Sequence, residues 1–147
     1  MKLLIFMALV AALPFAAHAE VTVTEAWARA SILASRPGAA YLTLKSDVDD
    51  RLIGVTTPVA DEVTLHATET NSAGIGRMVQ IEALDLPAEE AVTLTPGRMH
   101  LILMGPSEKF AEGTTFPLIL HFETAGKIVV DVPVLGVAAA GPEGPAK

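Results

Sequence analysis

A chain of 147 residues with ten Lys and Arg against 17 Asp and Glu has a formal charge of −7, which removes the basic surface that a phosphate backbone requires and argues against nucleic-acid binding. It contains no cysteine, so disulfides, a thiolate nucleophile, a CxxC redox pair and a blue-copper electron-transfer site, which needs a cysteine sulfur, are all excluded. The length suits one domain, whose apolar core alone must hold the fold.

Residues 1–19 place one Lys before an apolar stretch and close on Ala17-His18-Ala19 ahead of Glu20. That is the layout of a secretory signal peptide cleaved between Ala19 and Glu20. Pro14 interrupts the apolar stretch, which is short for a membrane span, so no span is expected after cleavage. The chain then reads as short strands between turn residues. Val21 and Val23 alternate with Thr22 and Thr24, and Ser35-Arg36-Pro37-Gly38 marks a turn before AAYLTLKS. RLIGVTT follows the acidic loop Asp47–Asp50, then EVTLHAT, a polar connection from Asn71 to Gly76, and RMVQIEA. AVTLTP ends at a Pro96-Gly97 turn leading into RMHLILMG; TFPLILHFE and KIVVDVPV complete the set, with Pro117 suggesting an edge position or a strand start. Seven to nine short strands with no amphipathic helix predict an all-β antiparallel sandwich or barrel, a single domain over residues 20–135. From Gly136 the sequence GVAAAGPEGPAK has no period and reads as a flexible tail over residues 136–147, without the His or Met enrichment of a second metal site.

Side chains suited to soft metal ions fall on the polar phase of three of these strands. In EVTLHAT, Val63, Leu65 and Ala67 alternate with Thr64, His66 and Thr68; in RMVQIEA, Val79 and Ile81 alternate with Met78 and Gln80; in RMHLILMG, Met99, Leu101 and Leu103 share one face and His100, Ile102 and Met104 the other. Successive strand residues point to opposite sides of a sheet, so His66, Met78, His100 and Met104 all point away from the core set. Neutral imidazole with thioether favours Cu(I) over oxygen-seeking Mg²⁺ or Ca²⁺. Met99 belongs with the core leucines, and His121, between Leu120 and Phe122 with no Met nearby, is read as structural.

From Ala26 to Val134 the chain resembles the periplasmic copper chaperones of the PCuAC family, through AWARA, GAAYLTL, the His66 segment, LTPGRMHLILMG and EGTTFPLILHFETAG running to VVDVPV. The family's copper motif is His, an often-Met next residue, ten residues, Met, twenty-one residues, His, one residue, Met. Here His66 is followed by Ala67, residues 68–77 precede Met78, and residues 79–99 precede His100, so those spacings match. The last position does not: Ile102 stands where the motif has Met, and Met104 lies two residues further along the same face. The resemblance implies a cupredoxin-like sandwich or Greek-key barrel and a periplasmic protein that binds Cu(I). It also implies delivery of the ion to respiratory oxidase copper centres, such as cytochrome oxidase subunit II, or to their assembly factors.

Two other readings compete. No Gly-x-Ser-x-Gly elbow, Walker loop or His-Glu-x-x-His helix is present, so no enzyme is expected. A metal-free exported β-sandwich descended from a copper-binding ancestor would explain Ile102 as the trace of a lost site.

Overall fold

The structure, a computed structural model, describes residues 18–142. The expected signal peptide lies outside the described residues but for its last two positions, as do residues 143–147 of the expected tail. Ten strands follow in chain order: β1 (Val21–Arg29), β2 (Gly38–Ser46), β3 (Asp50–Thr56), β4 (Ala60–Thr70), β5 (Gly76–Ile81), β6 (Leu84–Leu86), β7 (Ala91–Thr93), β8 (Met99–Pro106), β9 (Thr115–Phe122) and β10 (Gly126–Leu135). There is no helix among the described residues. The one strand beyond the expected seven to nine is β6, three residues long and too short to show an alternation, whereas β7 is the start of the AVTLTP run.

The strands run in the order β5-β4-β8-β2-β1-β10-β9-β3-β6, with β7 paired to β2. They form two layers, β1, β2, β4, β5, β7 and β8 in one and β3, β6, β9 and β10 in the other, joined where β1 meets β10. That joint is parallel, Ala28 opposite Val134 and Arg29 opposite Leu135, whereas the other pairings are antiparallel as expected. Alternation explains the core. Leu42, Leu44, Leu65, Leu101 and Leu103 face inward from the first layer and meet Leu52, Leu118, Leu120, Phe122 and Val132 from the second. Full burial of such side chains contributes about 1.5–3 kcal/mol each, and no cystine assists them.

Two local features set the register of the first layer. Thr95-Pro96-Gly97-Arg98 closes a turn in which the Arg98 amide donates to the Thr95 carbonyl, with Gly97 at φ +82°. Pro fixes the first central residue and Gly accepts the left-handed second one. β8 leaves this turn paired to β4 from Met99 opposite Ala67 onward, which places His100 beside His66. The second feature is a bulge in β1. Thr24 pairs with Thr43 and Trp27 with Tyr41, so β1 spends one residue more than β2 over that stretch, and Glu25 takes φ +51°. Val21 and Val23 pack on the core before the bulge, Ala26 and Ala28 after it. Strict alternation from Val21 would put Trp27 inside; the extra residue turns it to the outer face.

Pro117 is the third residue of β9, before the β3 ladder begins at Thr56 opposite Ile119, so its missing N–H interrupts no pairing with β3.

Candidate metal site

The three spaced donors of the sequence share the outer face of the first layer. His66 on β4 lies directly opposite His100 on β8. Their rings are nearly parallel, with centroids 6.0 Å apart and an interplanar angle of 24°. On the other side of β4, Met78 of β5 pairs with Thr68, one step diagonally from His66. Diagonal neighbours across a strand pair lie roughly 7–8 Å apart, within reach of a long thioether. Met78 is 54% exposed although its strand neighbours Val79 and Ile81 are half-buried. Metal–nitrogen bonds are about 2 Å long, so modest side-chain rotation would close both imidazoles on one ion.

Met104 is placed differently. It pairs with Glu62, beyond the row in which Ile102 faces Thr64, four residues from His100. At about 3.3 Å per residue that is roughly 13 Å along β8. Met104 shares the face and is 41% exposed, but the fold does not set it beside the histidines as it sets Met78. Met99 packs against the core, and His121 sits in the other layer, where its Nε2 is 3.0 Å from Thr56 Oγ1. Among the described residues no three His, Asp or Glu side chains converge, so a site with three protein donors must use a thioether.

The electrostatics suit a neutral ligand pair. Burial of His100, reinforced by the facing His66, holds its pKa below the ordinary value of 6.5. A neutral imidazole keeps its lone pair for a metal.

A further aromatic row adjoins the histidines. Tyr41 is the next position along the β2–β8 ladder after Ala40 opposite Leu101, and its ring lies 6.4 Å from that of His100. Tyr41 stacks in turn on Trp27 at 4.5 Å. The Arg29 guanidinium sits 6.0 Å and 5.9 Å from the centres of the Trp27 and Tyr41 rings, and its Nε donates to the Ala139 carbonyl at 2.7 Å. Both rings are almost fully buried although they belong to the outer face.

The model of the family described as "Putative lipoprotein LpqE-like" matches residues 21–134. The chain belongs to the LpqE-like family. A protein of Leifsonia xyli subsp. xyli (strain CTCB07), named as a putative lipoprotein, is 28% identical to it over 116 residues, covering 78% of this chain and 69% of that protein. Among solved structures, the copper-bound PCuAC domain from PmoF2 superposes with a TM-score of 0.66 at 27% identity, over 79% of this chain and 92% of that one. The CuI form of DR1885 from Deinococcus radiodurans superposes with a TM-score of 0.59 at 31% identity, over 75% and 74% respectively. The fold of this chain is therefore the cupredoxin-like β-sandwich of these PCuAC domains, as the family resemblance implied.

Two parts of this LpqE-like surface escaped the sequence reading. Trp27 joins it only through the β1 bulge, which alternation does not reveal. Thr64, whose Oγ1 lies 3.0 Å from His66 Nε2, looked like any polar strand residue; its position two before His66 on the same face was the available signal.

Proposed function

We propose that this domain is an exported copper carrier that binds Cu(I) through His66, Met78 and His100. Met104, a further thioether on this face beyond Ile102, is the candidate for a fourth donor. The observation that carries this reading is the direct pairing of His66 with His100 on the outer face, with Met78 on the adjoining diagonal. Two neutral imidazoles and a thioether form a soft donor set. Neither thioether nor imidazole needs to form a thiolate, so the site escapes the oxidation to which a cysteine pair is prone. Its position on an open face lets an accepting protein approach and take the ion by ligand exchange. The similarity to the copper-bound PCuAC domain from PmoF2 and to CuI-DR1885 supports copper as the cargo. The lipoprotein name of the Leifsonia xyli relative supports export. The periplasm as compartment, and a respiratory oxidase copper centre or its assembly factor as acceptor, complete the proposal.

Anaerobic titration of the purified protein with Cu(I) against a competing chelator tests it. His66→Ala or His100→Ala should weaken binding by more than about 100-fold, beyond the range seen when only a ligand's supporting partner is lost. Unchanged affinity in either variant removes that residue from the site. Met104→Leu should cost less than Met78→Leu. Ile102, which offers no donor atom, favours a second reading, a metal-free sandwich retaining the remnant of a site. Protein isolated from copper-supplemented cells without stoichiometric copper would support that reading instead.

A further inference from the structure

We infer that Thr64 is a positioning residue that holds His66 as the Nε2–H tautomer and so makes Nδ1 the nitrogen His66 presents to copper; this rests on the carrier reading above. Thr64 and His66 are two residues apart on one face of β4, and Thr64 Oγ1 is 3.0 Å from His66 Nε2. Across the sheet Thr64 pairs with Ile102, whose side chain has neither donor nor acceptor. Among the described residues Thr64 Oγ1 makes no other side-chain hydrogen bond, so the hydroxyl is committed to His66.

A neutral imidazole carries one N–H and one lone pair, which leaves two arrangements. If the Thr64 hydroxyl donates to Nε2, the hydrogen of the ring lies on Nδ1 and neither nitrogen is open to a metal. If Nε2–H donates to Oγ1, the Nδ1 lone pair is free. Only the second arrangement lets His66 ligate without first breaking this bond. Direction agrees with it. The bond turns Nε2 toward the Thr64–Ile102 row, whereas Met78 pairs with Thr68 on the opposite side of His66 along the strand. A hydrogen-bond partner on the second ring nitrogen is a common means of fixing a ligating histidine's tautomer and orientation, and its loss typically costs about 10–100-fold in metal affinity.

Long-range ¹H–¹⁵N NMR on histidine-labelled protein tests this with and without metal. In the metal-free protein, above the imidazole titration range, His66 should show the Nε2–H pattern. Anaerobic addition of Cu(I) should move the Nδ1 resonance while Nε2 stays protonated. Thr64→Val should release the tautomer preference and weaken Cu(I) binding at least tenfold, and Thr64→Ser should restore both. A metal-free His66 in the Nδ1–H form, a copper-induced loss of the Nε2 proton, or unchanged affinity in Thr64→Val would each overturn the assignment. Should Cu(I) move no histidine resonance, the carrier reading falls, whereas the metal-free tautomer still decides what Thr64 does.

Discussion

Ile102 and Thr64 face each other one row along from the paired imidazoles, on the side away from Met78. Replacing Ile102 with Met puts a thioether on the same face as His100, next to the pair, without a large change in volume. Ile102→Met should therefore tighten Cu(I) binding about tenfold or more, and its effect on folding should stay below about 1.5 kcal/mol. Chelator competition and urea denaturation of the same variant read the two quantities separately. His100 sets a pH dependence of its own. Its folded pKa lies below 6.5, so the unfolded chain takes up the proton first. Stability should be level above that value and fall as pH drops through and below it, and His100→Gln should flatten this part of the profile. Under the proposed carrier reading, the same shift should reduce proton competition for Cu(I) at His100. At this scale the sequence showed much: the spacing of His66, Met78 and His100 and their polar strand phase were visible without coordinates. What it could not show is a pairing between side chains, such as Thr64 on His66 or Tyr41 beside His100, because register across strands is not written along any one of them.

The β1 bulge shows how one element can serve another's side chain. Glu25 sits at φ +51°, a conformation costing a residue with a Cβ about 1–2 kcal/mol, and the extra residue delivers Trp27 onto Tyr41. Glu25→Gly should relieve that strain, less the added chain entropy of glycine, for a net gain of up to about 1 kcal/mol in thermal or urea unfolding. Glu25→Val should lose about 1 kcal/mol, since a β-branched residue tolerates the region worst. Deleting Glu25 should be tolerated, because removing the extra residue leaves Val21, Val23, Ala26 and Ala28 alternating toward the core with Trp27 still on the outer face. Turn chemistry was legible for the Pro96-Gly97 turn, where proline and glycine stand at the positions the turn requires. The bulge was not, since it carries no glycine to announce it, and neither was the parallel meeting of β1 with β10, which depends on contacts a hundred residues apart.

Across the whole molecule, two layers are held by one leucine-rich core and by few polar ties. Asp50 is the chief of these. Its Oδ1 accepts the amides of Arg51 and Thr124 and its Oδ2 that of Ala125, so the start of β3 is bound to the turn between β9 and β10. Burial pushes its pKa up, but the backbone hydrogen bonds from Thr124, Arg51 and Ala125 prevail and the carboxyl titrates below 3.8. A depressed folded pKa makes the stabilisation complete above the unfolded value and lost as pH falls through the folded one. Acid unfolding should accordingly show a component below pH 3.8 that Asp50→Asn removes, together with a loss of about 1–3 kcal/mol at neutral pH from the mismatched amide. The all-β class followed from strand spacing and alternation, which left sandwich and barrel both open, and so did the inward leucines, because a period of two is a direct record of which face is buried.

Trp27 is the chain's one tryptophan. Its indole stacks on Tyr41, whose ring is the neighbour of His100. Its fluorescence is therefore a built-in gauge of the histidine pair, read without any label. Emission should dim in step with loading of the pair and recover when a chelator strips the ion, and a His100→Ala variant should leave the lamp lit throughout.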